Sequence, residues 1–176
     1  MLATTETSTQ FDAPNLPQST ADLAGTYLTF DLAGQILGVE VRNVREILDR
    51  ATIRQIPNAP HDIEGIVDIR GKSIPIIDMG SRLALPRSED GEDTRIIVFE
   101  FDQGGDVRPT GVIADRVRNV AQVGPEAIEA PPKIAGSDSR SSVLRGVARQ
   151  DESVILLLDI SQILGEDDFD FGSTYN

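Results

Sequence analysis

The chain has 176 residues, enough for one domain or two very small ones. Its 29 acids against 16 bases give a formal net charge of −13, which opposes nonspecific binding to phosphate backbones, and 5% aromatic content without tryptophan leaves little to stack single-stranded bases on. With no cysteine and one histidine, His61, the composition excludes a disulfide framework, thiol catalysis and any zinc site built on cysteines or several histidines.

The charge is uneven along the chain. Residues 1–25 hold Glu6, Asp12 and Asp22 and no base, and they are rich in Thr, Ser, Pro and Gln. That composition predicts a disordered N-terminal arm, and it lacks the basic and apolar regions of a signal peptide. The next segment alternates: Leu28, Phe30 and Leu32 share one face of a strand. Ala33-Gly34-Gln35 is a turn, and the alternation resumes through Leu37, Val39 and Val41. Val44, Ile47 and Leu48 then follow a helical spacing behind Asn43, so Asn43–Asp49 is predicted as a short helix. Thr52–Ile56 reads as a strand stopped by Pro57 and Pro60.

Ile66–Ile69 and Ile74–Ile77, joined through Arg70-Gly71-Lys72-Ser73, predict a β-hairpin. Pro75 lacks an N–H, which places its strand at an edge or a bulge. Met79–Leu85 reads as a helical turn, and Ser88–Asp93 as a solvated linker. Beyond it come strands over Arg95–Asp102 and Thr110–Val117, an irregular stretch over Gly124–Ser142, a hairpin of Val143–Arg149 with Ser153–Ile160, and a helical turn at Ser161–Leu164. The end, 166–176, adds Glu166, Asp167, Asp168 and Asp170 without a base. Five consecutive aliphatic residues, Val154–Leu158, form the longest such run, far short of the roughly 20 needed to span a bilayer. A soluble, cytoplasmic chain is expected.

The two halves repeat one another. Gly38-Val39 and Val44-Arg45 lie over Gly111-Val112 and Val117-Arg118. Gly65 to Asp78 and Gly146 to Asp159 have the same spacing, and Leu83 and Leu164 follow each Asp at the same distance. Such a repeat of short strands predicts an all-β fold of two small barrels side by side, sharing an interface because each core alone is marginal. The expected boundaries are an arm at 1–25, a first barrel at 26–87, a second at 94–165 with strand exchange left open, and an acidic tail at 166–176.

Catalytic material is thin. Asp68, Asp78, Asp115 and Asp159 lie in or beside strands, and paired carboxylates in a cleft are the chemistry a hydrolase needs. Strand-end aspartates more often accept hydrogen bonds from turns. His61 has no Ser, Thr or Cys motif beside it, and nucleotide-binding loops and nucleophile elbows are absent. No catalytic residue, metal site or cofactor is assigned. Aliphatic surface for a partner helix or a barrel-to-barrel contact fits the composition better, and polyproline recognition lacks its aromatic groove.

Gly65-Ile-Val-Asp-Ile-Arg-Gly-Lys-Ser-Ile-Pro-Ile-Ile-Asp78 resembles the CheW family of bacterial chemotaxis coupling proteins. Phe30, Val41–Ile47, Ile56–Pro60, Leu144–Gly146 and Leu156–Asp159 fit the same pattern. The likeness covers about 26–165 in order. Asp68 departs from it, standing where the family commonly has Asn. The resemblance implies two SH3-like five-stranded barrels packed together with short helices and flexible termini. It also implies a non-enzymatic adaptor linking the cytoplasmic helical hairpin of chemoreceptors to the regulatory domain of the histidine kinase CheA. Partners would associate into rings or arrays under the membrane, without inserting into it. Arg70, Val44, Glu46 and Gly65 carry over as receptor-binding positions, and Val112 and Ile113 are taken to line the receptor groove. For the kinase, the first barrel's edge around Ile53, Ile56 and Pro75 is expected, since strand edges suit such contacts. The alternatives are a coupling module of a non-chemotactic pathway and a carboxylate-based hydrolase.

Overall fold

The computed structural model describes residues 19–103, 105–132 and 143–165. Residues 133–142 of the predicted irregular stretch Gly124–Ser142 lie outside them, as do the acidic tail and most of the arm. The strands are β1 (Gly25–Leu32), β2 (Gln35–Glu40), β3 (Val44–Asp49), β4 (Ile63–Ile69), β5 (Lys72–Ile77), β6 (Arg95–Gln103), β7 (Asp106–Ala114), β8 (Arg116–Val123), β9 (Ile128–Glu129), β10 (Leu144–Gln150) and β11 (Ser153–Leu158). Two single-turn helices, α1 (Met79–Arg82) and α2 (Ile160–Leu164), follow β5 and β11. The fold is all-β, as expected, with two barrel-like sheets. One runs β8-β1-β2-β11-β10-β9 and the other β3-β6-β7-β5-β4.

Each sheet takes strands from both halves of the chain. The halves 26–87 and 94–165 each contain one copy of the repeat, but the sheets do not coincide with them. The exchange shows as two parallel pairs in an otherwise antiparallel structure. Leu157 of β11 lies opposite Gly38 of β2, and Ile76 of β5 opposite Gly111 of β7. The repeated glycines therefore sit at equivalent junctions, and side chains approach both closely. A Cβ on Gly38 meets Ile155 Cγ2 at 3.0 Å, and one on Gly111 meets Ile76 Cδ1 at 2.5 Å.

Alternation along the inner strands feeds three cores. Leu28, Phe30, Leu37 and Val39 of one sheet meet Ile97, Phe99, Val112 and Ala114 of the other in a central core, closed by Met79, Ile160 and Ile163. The opposite faces line the barrels. Tyr27, Val123, Ile155 and Leu157 fill one, and Val67, Ile74, Ile76, Ile96 and Val98 the other. Each large aliphatic buried this way contributes about 1.5–3 kcal/mol against chain entropy. Leu23, in a short 3-10 turn at Thr20–Leu23, joins the first barrel core, so residues 19–25 belong to the fold rather than to the arm. The Tyr27 phenol donates to the Leu23 carbonyl at 2.6 Å; burial first, and Glu40 second, raise its pKa above the ordinary tyrosine value.

The helices are capped as the repeat suggests. Asp78 accepts from the Ser81 amide, and Asp159 from those of Ser161 and Gln162. Arg82 ties the two helices together. Its Nε donates to Asp62 at 2.9 Å and its Nη1 to the Ile163 carbonyl at 2.7 Å, with the side chain only 12% exposed.

Three expected elements differ. Asn43–Asp49 is not helical: a 3-10 turn at Val41–Asn43 leads into strand β3, paired with β6 from Val44↔Phe99 to Asp49↔Arg95. A register shift between Val44 and Glu46, and exposed Ile47 on an end strand, produced the helix-like spacing. Thr52–Ile56 makes a single bridge, Arg54↔Ile66, rather than a strand. Thr110–Val117 spans the end of one strand and the start of the next. Asp115 turns the chain there; its amide bonds the Asp31 carbonyl, and its carboxylate accepts from the Ala33 amide and the Ser88 hydroxyl at 2.8 Å each.

Because every barrel needs strands from both halves, segments 19–87 and 94–165 expressed separately will lack a cooperative unfolding transition, and mixing them will restore it. A sharp native-like melt from either half alone would show the exchange to be dispensable. At Gly65 the backbone takes φ +145°, and an added Cβ would overlap the Arg54 carbonyl. Gly65→Ala is therefore expected to cost about 2–3 kcal/mol in denaturant titrations, combining backbone strain with overpacking; a loss below a few tenths would contradict that reading.

Candidate partner-binding surface

The surface centres on the β4–β5 hairpin. Ile69 pairs with Lys72, leaving a two-residue turn with Arg70 at φ +49° and Gly71 at φ +79°. These are the signs of a type I′ turn, which favours Asn, Asp or Gly at its first position. An arginine there holds its Cβ in a left-handed backbone at a cost of about 1–2 kcal/mol. In return the turn thrusts a long cation off the end of the barrel, with the side chain 75% exposed.

That cation is met from the far side of the sheet. β3 and β4 are its two end strands, and Glu46 of β3 accepts from Arg70 Nη2 at 3.1 Å. The contact spans the sheet's open side near the turn. Farther along, Arg54 and Ile66 exchange backbone bonds of 2.9 Å and close the remainder. An exposed pair of this kind is worth about 0–1 kcal/mol, so Glu46 orients Arg70 more than it stabilises the fold. Neighbouring in sequence are Arg45, bonded to Glu100 at 2.9 Å, and Ile47, both on the exposed face of β3 opposite Glu46, together with exposed Lys72 and with Asp68, which accepts from the Ser73 hydroxyl at 2.8 Å.

The structure thus brings Arg70 and Glu46 together although 24 residues separate them. Val44 is half-buried against the central core, and Gly65 is buried at a bulge where β4 shifts register. Val112 is a correction. It is 0% exposed in the central core and cannot line a surface groove, because β7 is covered on both faces. Ile113, on the opposite face of β7, is half-buried against the barrel core.

Ile53 and Ile56 lie in a strap outside β4, held by the Arg54 bridge. Beside the strap a shallow cavity of about 510 Å3 is lined by residues including Arg50, Ile53, Glu64 and Asp90. Pro75 is not on the sheet's edge. It lies in β5, between β4 and β7, opposite Ile66. Its missing donor is tolerated because the parallel ladder to β7 begins only at Ile76. Reading Val44, Glu46 and Leu48 as a period-2 pattern places Ile47 on an exposed strand face.

Of the aspartates raised as a catalytic set, Asp78 and Asp159 cap different helices, Asp115 lies at a turn and accepts from the Ala33 amide, and Asp68 lies within β4, bonded by Ser73. Among the described residues no three His, Asp or Glu side chains are placed to hold a metal ion, and no helix is long and apolar enough to cross a membrane.

Residues 26–168 match the family model of the CheW-like domain. The chain is 28% identical to the chemotaxis protein CheW of Treponema pallidum, over 84% of this chain and 86% of that one. To the protein FrzA of Myxococcus xanthus it is 31% identical, over 78% and 84%. The scaffolding protein TtCheW of Thermoanaerobacter tengcongensis has a similar crystal structure, with a TM-score of 0.65 and 31% identity, covering 77% of this chain and 89% of that one. With the fold, the repeat and the Gly65–Asp78 hairpin all accounted for, the chain belongs to the CheW family.

Proposed function

We propose that this protein is a non-enzymatic adaptor of bacterial chemotaxis, coupling the cytoplasmic helical hairpin of chemoreceptors to the regulatory domain of the kinase CheA. One observation carries the reading: Arg70 occupies a turn position with positive φ, exposed, with its guanidinium oriented by Glu46 in a pair worth about 0–1 kcal/mol. Strain kept without structural return points to binding. The receptor hairpin docks against Arg70, Glu46 and the exposed Ile47, with aliphatic contact supplying area and the arginine setting register. The kinase domain meets the strap at Ile53–Ile56. No cofactor enters. The protein acts in the cytoplasm beneath receptor arrays, where many weak contacts add through multivalency.

The strain makes the test sharp. Arg70→Asn converts the turn to Asn-Gly, the preferred type I′ pair. The variant should be more stable by about 0.5–1 kcal/mol. It should nonetheless lose about tenfold or more in affinity for a receptor cytoplasmic hairpin, measured by calorimetry, because a charged hydrogen bond disappears. Unchanged affinity would remove Arg70 from the interface. A drop in stability would make it structural.

A further inference from the structure

The hairpin that carries Arg70 also carries a carboxylate, Asp68, with no cation against it among the described residues. Along the outward side of β4 the residues are Glu64, Ile66 and Asp68, since Ile63, Gly65 and Val67 point inward. Across from them on β5 stand Pro75, opposite Ile66, and Ser73, opposite Asp68. Read toward the turn, the ladder presents a half-buried apolar rung, then a carboxylate, then the Arg70 guanidinium.

Among the described residues the acids nearest Asp68 along the hairpin have a cation and Asp68 has none. Glu64, on the same side of the same strand, holds Arg87 at 2.9 Å. Asp62 holds Arg82, and Glu46 holds Arg70. Asp68 is exposed, and among the described residues its one bond is from the Ser73 hydroxyl to Oδ1. That bond fixes the carboxyl group on the rim two residues from Arg70 and commits only one of its oxygens. An ionised carboxylate accepts and cannot donate, whereas the Asn of the resembled pattern does both. A partner surface covering this rim must therefore bring a donor to Asp68 or leave a charge desolvated and unpaired, which is costly. Arg70 differs, because a partner carboxylate there only replaces Glu46.

We propose that Asp68 is a specificity-determining contact of this surface, and that the receptor hairpin which binds here places a lysine or arginine against it. The inference rests on the receptor-binding reading and names the partner's chemistry at one further position. Asp68 selects among hairpins by charge, and Arg70 sets register for all of them.

The test uses the full chain and a chemoreceptor cytoplasmic hairpin from the same genome, with each Lys and Arg near the hairpin's tip replaced singly by Gln. Asp68→Asn keeps an oxygen for Ser73, so its denaturation midpoint should match that of the unaltered chain. Its affinity for the unaltered hairpin should fall about tenfold, the loss of one charged hydrogen bond, and its salt dependence should flatten. One Lys→Gln or Arg→Gln hairpin should bind the unaltered chain as weakly as Asp68→Asn binds the unaltered hairpin, with no further loss when the two changes are combined. Equal or tighter binding by Asp68→Asn, or losses that add fully for every hairpin cation, would overturn the proposal while leaving the receptor reading intact. Absence of any binding by the unaltered chain would overturn the receptor reading first, and this inference with it.

Discussion

The central core between the two sheets is the constraint on which everything else depends. β1, β2, β6 and β7 are each buried on two faces, one toward a barrel interior and one toward the other sheet. Neither barrel has enough apolar residues to stand alone, and the shared layer makes up the difference. Strand exchange follows from the same economy. The chain crosses between sheets after β2 and again after β7, so each half supplies strands to both barrels, and the parallel pairs at Gly38 and Gly111 mark the crossings. Arg82 completes the joint by linking α1, from the first half, to the last turn of α2.

A scaffold so filled leaves its rims free to vary. The two copies of the repeat keep the glycines, the bulges and the Asp caps, and they differ where the hairpins end. The first copy turns through Arg70-Gly71 and the second through Asp151-Glu152, both with positive φ. Opposite the first turn stands Glu46, and at the position equivalent to Glu46 the second copy has Asn119, whose side chain accepts from Thr29 instead. The same backbone therefore offers a basic turn on one barrel and an acidic one on the other. Chemistry of this kind belongs to the site rather than to the fold.

The sequence reveals the parts of this structure that depend on local pattern. Tyr27–Leu32, Ile66–Ile77 and Arg95–Asp102 alternate or run apolar and fold as strands; the repeated spacings pick out the bulges and the caps. Arg70 stands out only through the resemblance of its hairpin to a known family. The rest depends on contacts between distant residues. Nothing local distinguishes Val112, in the core, from Ile113 beside it; their roles follow from which sheet covers each face. β3 reads as a helix because an irregular register spaces Val44, Ile47 and Leu48 as a helix does. The meeting of Arg70 with Glu46 requires that β3 and β4 be the two ends of one sheet, which no local pattern encodes.

The net charge of −13 takes on a different meaning in the folded chain. Seven of those charges belong to the end segments 1–25 and 166–176. In the body, at least ten of the arginines are engaged by carboxylates, among them Arg45, Arg70, Arg87 and Arg118. A partner arriving at such a surface does not fall into a strong field; it exchanges one exposed pair for another, and each exchange is worth about 0–1 kcal/mol. On the proposed reading, selectivity comes from groups on the contacted rim that have nothing to exchange, and among the described residues one such group on the β4–β5 hairpin is Asp68. In the role proposed for Asp68, an unpaired carboxylate discriminates between partners more sharply than a paired arginine does, because the wrong partner leaves it buried and alone. Modest affinity with sharp discrimination suits the multivalent assembly proposed for this adaptor.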